Sequence, residues 1–591
     1  MPSAAKNNPK KHTMSLNTRN TLVGMSFILP NFIGFTVFIL IPVIFSFVLS
    51  VMKWDGFTPM EFVGLQNFAT IFKDRVFRTA LWQTLVFTCF TVVFSMATAL
   101  GLAILLNTKL KFVNFFRSAI FFPYVASVVA VGAVFKAMFL KDGGPINEFL
   151  RFIGVPADLL PGWLASTKWA LAAVIVVQVW KNMGYFMIIY LAALQDIPSS
   201  LYEAASIDGA SKWQQFKSIT LPMLTPSHFF VFMMLTINSF KTFDLIFALT
   251  EGGPGISTTL LSMYIYNQSF ISWNYGRASA AAIILFLIVG TITLIQFRAE
   301  KNSTILCKER SLLLMIEKKK SYIPQLLIYV FLVLITVTTL LPLVWMLSAS
   351  FKLDSEVFSV PIQWIPKTFH FENYARIWQK IPFGLFTFNS FKLTILVTFI
   401  QVLTCSFAAY GFTKCKFRGR DTLFLCYIAT IAIPWQIYML PQYSMMQKFG
   451  LVDTHLGYVL MQAFAAFGVF LLRQFYQSVP DELIEAARID GLSEYGSYFR
   501  IVLPLAKPAI ATLTIFTFVA IWNDFMGPMI YFSSEANKTI PLGIRMFIGQ
   551  YSSEYQLIMA ASVVALLPVL ILYVFCQRFF VQGIATSGLK G

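Results

Sequence analysis

Charge is what this sequence has least of. Asp, Glu, Lys and Arg make up 12% of its 591 residues, about half of the 25% usual in soluble globular domains. Acid is scarcer than base, 27 residues against 45, which leaves a formal net charge of +18. The basic residues fall in short runs between apolar stretches, and no aromatic-basic motif accompanies them. That spacing fits cytoplasmic membrane loops and argues against a nucleic-acid partner. The six cysteines (Cys89, Cys307, Cys405, Cys415, Cys426, Cys576) include no CxxC pair, and several lie in apolar stretches where Cys acts as a small hydrophobe, so neither a zinc site nor a disulfide framework is indicated. The four histidines (His12, His228, His370, His455) are scattered, and no metal is expected on them. Phosphate-loop (GxxxxGK[ST]), HExxH and GxSxG patterns are all absent, so no nucleotide, metalloprotease or serine-hydrolase chemistry is expected of the chain itself. The first twenty residues are basic and carry no acid, and the apolar run behind them is too long for a signal-peptide core.

What is present is apolar surface: 57% of the residues are hydrophobic. A spanning helix needs about 20 consecutive, mostly apolar residues. Such stretches occur near 22–52, 79–106, 118–139, 169–194, 227–250 and 277–297, and again near 323–349, 388–412, 422–442, 455–475, 509–532 and 556–580. The expected fold is therefore all-α and polytopic, with twelve transmembrane helices in two six-helix halves. Lys6, Lys10, Lys11 and Arg19 precede the first stretch. Lys109, Lys111 and Arg117 follow the second, and Lys414, Lys416, Arg418 and Arg420 occupy the matching loop beside the single acid Asp421. The positive-inside rule then places both termini in the cytoplasm. The halves divide as 1–298 and 322–591, joined by a polar, basic linker at 299–321 in which Met315-Ile-Glu-Lys resembles the start of a separate protein.

The two halves repeat one segment without a gap. PSSLYEAASIDG at 198–209 aligns with PDELIEAARIDG at 480–491, an offset of 282 that also relates Pro222 to Pro504 and Pro226 to Pro508. Duplication of a whole six-helix unit is the reading. Locally, Pro198 and Pro480 suit a helix start, and Ser200 with Glu203 has capping-box spacing. Glu-Ala-Ala favours helix, and Asp-Gly stops it through glycine's freedom at positive φ. A short helix, a sharp glycine turn and a second helix leading to Leu-Pro are predicted. A lone segment of this kind reads as an amphipathic connector. Its recurrence at matching topological positions reads as a docking knob.

These residues resemble the EAA loop of ABC importer permeases in the carbohydrate-uptake family typified by the maltose transporter. The likeness extends along most of the chain: Val63-Gly-Leu-Gln-Asn67 and Thr250-Glu-Gly-Gly-Pro254 in the first half; Phe371-Glu-Asn-Tyr374, Ile433-Pro-Trp-Gln436 and Trp522-Asn-Asp524 in the second; and the tail from Phe580 to Gly591. The first half lacks the large extracellular insertion of the maltose permease, so shorter loops would meet a binding protein. The resemblance implies a permease with two subunits fused in one chain, in a bacterial inner membrane. Its partners would be a dimer of separate ABC ATPase subunits, carrying ATP and Mg, and an extracellular or periplasmic solute-binding protein. The tail from Gly583 to Gly591 would reach toward the ATPase dimer interface. The chain itself would bind no cofactor. ATPase coupling would fall on Glu203, Ala204, Ala205, Asp208 and Gly209, and on Glu485, Ala486, Ala487, Asp490 and Gly491.

Polar residues inside spans are costly and face a cavity or each other. The fourth stretch holds Trp180, Lys181, Asn182, Gly184 and Tyr185, and the fifth Asn238, Ser239, Lys241, Thr242 and Asp244. Asn238, Lys241 and Thr242, with Ser239 beside them, fall near one helical face by spacing. The resemblance points to Trp180, Met183, Gly184, Asn238, Ser239 and Thr242 as carbohydrate contacts. Against this stand interhelical pairing of Lys241 with Asp244 and snorkelling of Lys136 and Lys181. The substrate expected is a di- or oligosaccharide. Lys181 and Lys241 would also suit glycerol phosphate or a related polyol. A gradient-driven carrier would share the twelve spans but has no need of a duplicated docking loop.

Overall fold

A computed structural model describes residues 16–108, 110–310, 325–547 and 554–587. Seven helices are long and apolar enough to cross a membrane unbroken: Asn20–Ser50, Arg75–Leu106, Ala170–Gln195, Tyr275–Ala299, Leu326–Ser350, Phe383–Thr413 and Tyr555–Cys576. Five further spans are pairs of helices bent at a break: Val113–Val125 with Val128–Met138 (96°), Lys212–Met223 with Thr225–Lys241 (63°), Arg420–Ala432 with Trp435–Lys448 (98°), His455–Gln462 with Ala466–Gln477 (44°) and Glu494–Leu505 with Lys507–Trp522 (78°). Together they account one for one for the twelve apolar stretches. The fold is all-α; the one sheet among the described residues is a two-stranded ribbon pairing Met52 with Phe62.

The third, fifth, ninth and eleventh spans, in matching places of the two halves, are each broken sharply. Proline explains three of the breaks. Ile433 before Pro434 is held extended at ψ 116°, and Pro226 and Pro508 stand in the first turn of the helix after each bend. The third span's break, at Ala126 and Ser127, has no proline at the break itself, Pro123 lying inside the first leg, and it is held from outside, as described below. Non-helical backbone at membrane depth persists only where protein or a cavity satisfies it.

The halves interlock. The first span packs along the eighth, in the second half, and the seventh packs against the third, in the first half. Glycines permit the close contact: a Cβ on Gly411 would meet Ile28 Cγ1 at 2.7 Å and the Gly24 carbonyl at 3.1 Å, the small-residue packing expected between membrane helices. Phe27, Ile28 and Phe35 of the first span are buried in a cluster with Cys405, Tyr410, Tyr427 and Tyr498 of the second half.

Each half closes its first span in the same way. Asn67 Nδ2 donates to the carbonyls of Ser50 (3.0 Å) and Met52 (2.7 Å). Asn373 Nδ2 donates to those of Ser350 (3.0 Å) and Lys352 (2.8 Å). Carbonyls at a helix C-terminus have no partner inside the helix, and both asparagines are buried, so replacing either leaves two buried acceptors without donors. The sixth-span helix continues through Arg310, so the expected linker begins as helix. Its later part, with Met315, lies outside the described residues, as do Gly588–Gly591 of the tail. The preceding residues of the tail continue the helix Tyr555–Ser587.

Candidate functional site

The two repeated loops match element for element at the offset of 282. Helices Ser199–Ile207 and Asp481–Ile489 are followed by Lys212–Gln215 and Glu494–Ser497, then by π-helical turns Phe216–Thr220 and Tyr498–Val502, then by Leu221–Met223 and Leu503–Leu505. Pro198 and Pro480 stand just before the helices, in extended conformation, rather than inside the first turn. No side chain caps either helix. The expected capping box at Ser200 and Glu203 is not formed, because Ser200 already lies inside the helix. The box forms one helix later, where Ser211 Oγ accepts from Gln214 N (3.3 Å) and Gln214 Oε1 from Ser211 N (2.7 Å).

Each first helix ends in a Schellman turn. Ala210 N donates to Ala205 O (2.8 Å) and Gly209 N to Ser206 O (3.1 Å), while Leu492 N donates to Ala487 O (2.9 Å) and Gly491 N to Arg488 O (3.1 Å). Gly209 and Gly491 take φ of 81° and 84°, where a Cβ costs about 1–2 kcal/mol. No atom lies within 4 Å of a Cβ built on Gly491, so the backbone angle, not crowding, demands glycine there. Space in front of the turn stays open.

Glu203, Ala204 and Asp208 are exposed on the first knob, with Ala205 and Gly209 half-buried. On the second, Glu485, Ala486, Asp490 and Gly491 are exposed and Ala487 is buried. Ala487 therefore faces inward, and the outward face is formed by the other four. Sequence reasoning missed Ile207 and Ile489, each 86% exposed. An identical large apolar residue beside Asp-Gly, repeated at the offset of 282 in a polar loop, is the signal that could have found them. Leu201, Leu483 and Trp213 are exposed as well.

Within the membrane half, Trp180 Nε1 donates to the Thr339 carbonyl of the seventh span (3.2 Å), and its ring meets Phe135 edge-on. Met183 is buried. Gly184 lies against the third span, where a Cβ would come within 2.1 Å of Ile120 O. The helix of the fifth span stops at Lys241, and Thr242 follows it with ψ 119°. Asn238 is exposed, Ser239 is buried with no partner for its hydroxyl, and Thr242 Oγ1 donates to Asn238 O (3.1 Å). The expected single face thus divides, because the helix ends one residue before Thr242.

The two lysines have other tasks than those expected. Lys181 Nζ donates to the carbonyls of Ala126 (2.7 Å), Tyr124 (3.3 Å) and Pro123 (3.4 Å), at the open end of the third span's first leg. It holds the third span's break from the fourth span. A hydrogen bond to a charged group contributes about 1.5–3 kcal/mol. Lys241 does not pair with Asp244; its Nζ donates to the Ile431 carbonyl (3.2 Å) in the second half.

The model of the family described as "Binding-protein-dependent transport system inner membrane component" matches the chain twice, at residues 82–300 and 401–586. The lactose transport system permease protein LacF of Rhizobium radiobacter is 38% identical over 283 residues, which are 47% of this chain and 94% of that protein. The arabinooligosaccharides transport system permease protein AraQ of Halalkalibacterium halodurans is 32% identical over 278 residues, 46% of this chain and all of that protein. A crystal structure of a bacterial alginate ABC transporter, in complex with an alginate pentasaccharide-bound periplasmic protein, aligns with a TM-score of 0.43 at 26% identity. It covers 49% of this chain and 96% of that one. The two relatives each match just under half of the chain over nearly their own whole length, so this chain carries two permease lengths in one polypeptide.

Proposed function

The chain belongs to the family of binding-protein-dependent transport system inner membrane components, and from that premise we propose that it imports a di- or oligosaccharide with ATP hydrolysed on separate subunits. One observation carries the reading. Two knobs of the same geometry, 282 residues apart, each hold a rigid Schellman turn clear of the body with an isoleucine 86% exposed beside it. An unpartnered large apolar side chain on a fixed turn is the form of an anchor for another protein. Two such anchors suit a dimer of ATPase subunits carrying ATP and Mg. The docking sets are Glu203, Ala204, Ala205, Asp208 and Gly209, and Glu485, Ala486, Asp490 and Gly491, with Ile207 and Ile489 added. A solute-binding protein delivers the sugar on the opposite face.

The sugar is favoured by relatives whose names refer to lactose, arabinooligosaccharides and starch degradation products. The anionic alternative rested on Lys181 and Lys241, whose ammonium groups are turned to backbone carbonyls. Trp180, Met183, Gly184, Asn238, Ser239 and Thr242 remain the proposed path. Asn238, exposed, suits direct contact with the sugar, and Gly184 acts by keeping the third and fourth spans close. Both termini and both knobs face the cytoplasm in this reading, on the charge of the loops, and the halves divide at 1–298, 299–321 and 322–591. The test is uptake into vesicles holding the full chain, with a panel of neutral oligosaccharides and glycerol phosphate. Uptake of a neutral sugar that needs the ATPase, ATP and binding protein together supports the reading. Uptake by the chain alone under an ion gradient contradicts it.

A further inference from the structure

Lys241 and Asn523 occupy one position of the repeat, 282 residues apart, at the far end of the helix that each knob loop feeds. Lys241 Nζ donates to Ile431 O (3.2 Å), just before the ninth span's break. The Lys241 carbonyl accepts from Gln436 Nε2 (2.9 Å), just after it. Lys241 therefore joins both legs of that break. Asn523 Nδ2 donates to Val125 O (2.9 Å), the last residue before the third span's break. One donor is an ammonium and the other an amide. Their task is the same, to satisfy a carbonyl freed where a helix stops inside the membrane. In both cases the broken span belongs to the other half of the chain.

We propose that Lys241 and Asn523 are the positioning residues of a crossed linkage, in which each knob moves the broken third span of the opposite half. The first knob leads through Thr225–Lys241 to the ninth span, and the second leads through Lys507–Trp522 to the third. A shift of a helix end by about 1–2 Å, ordinary for switching helices, withdraws the donor from its carbonyl and frees the hinge. The third span keeps a further holder in Lys181 from its own half. The proposal rests on the reading that ATPase subunits seat on the knobs.

The test uses the full chain with its ATPase partner in nanodiscs, native cysteines replaced, and spin-label pairs across each break. Suitable exposed sites are Phe115→Cys with Lys141→Cys for the third span and Leu425→Cys with Gln447→Cys for the ninth. In the otherwise unaltered chain ATP changes both distances. Lys241→Met is expected to abolish the change across the ninth span and leave the third; Asn523→Leu is expected to do the reverse; Lys241→Arg retains the wild-type response. Gln436→Leu cuts the same clip from its other side and stands in for Lys241→Met if that variant does not assemble. Loss confined to the variant's own half, equal loss at both breaks, or no loss at either overturns the crossed linkage. No ATP response at either break in the unaltered chain, with ATPase bound, overturns the knob reading itself.

Discussion

The first knob rests on the body through half-buried residues such as Tyr202, while the second is seated by buried ones, although the helix and turn bounds agree residue for residue. No residue of Ser199–Ile207 is buried, whereas Ile484 and Ala487 of Asp481–Ile489 are. The first loop is tied by neutral hydrogen bonds, Tyr202 OH with Thr220 Oγ1 (2.9 Å) and Gln215 Nε2 to Ser206 Oγ (2.8 Å). The second is tied by charge: buried Lys414 reaches Asp481 and the Val479 carbonyl (each 2.6 Å), and Arg488 pairs with Glu494 (2.7 Å), which also accepts from Tyr410 OH (2.9 Å). The first span of the other half adds Ser26 Oγ to Tyr495 OH at 2.7 Å and stacks Phe27 on Tyr495. The outward turn is thus fixed by the Schellman geometry common to both, while the fastening beneath it differs between the halves.

The largest break in that comparison is expected from Ile484→Ala. It should loosen Asp481–Ile489 by about 2–5 kcal/mol, read as faster hydrogen exchange there with no change in Ser199–Ile207. Lys414→Met removes a buried donor from two partners. About 1–3 kcal/mol of local stability should go with it, again only in the second knob. Gly209→Ala and Gly491→Ala sharpen the comparison from the other side. Each should cost about 1–2 kcal/mol in its own turn, and the two values should agree, since the backbone angles do. Tyr202→Phe should cost about 0.5–1.5 kcal/mol and act on the first knob alone.

Acid gives the smallest and most selective effect. The hydrogen bond from Lys414 holds the Asp481 carboxyl below its ordinary value, against a lesser opposing effect of burial. A carboxyl whose pKa is depressed by folding stabilises above its unfolded pKa, about 3.9, and that stabilisation is lost as pH falls through the folded value. Exchange in Asp481–Ile489 should therefore quicken as pH falls below about 4, read at matched intrinsic exchange rates. The position matching Asp481 is Ser199 in the first knob, so the pairing with Lys414 has no counterpart there. Equal acid loosening of both would contradict the difference in fastening.

The twelve spans were legible because length and hydropathy alone decide them. The knobs were legible because helix former, Asp-Gly and Leu-Pro recur at one offset. The break at Pro434 could be read locally. The one at Ala126 could not, since its holders, Lys181 and Asn523, lie 55 and 398 residues away. For the same reason the sequence offered Lys241 a pairing with Asp244, Lys181 a snorkelling role and both an anionic substrate, and their carbonyl partners appeared only on folding. The burial of Ala487 was equally hidden, because Glu-Ala-Ala is common to both copies and the contacts that seat only the second come from elsewhere in the chain.

The most direct measurement of the central claim is retention of the ATPase by the tagged full chain, compared with Gly209→Asp, Gly491→Asp and the double variant. Each single variant should hold one seat and lose part of the ATPase. The double variant should fold in the membrane, elute as the unaltered chain does, and retain none. Full retention by a folded double variant would contradict the account, because the two turns would then not be where the ATPase sits.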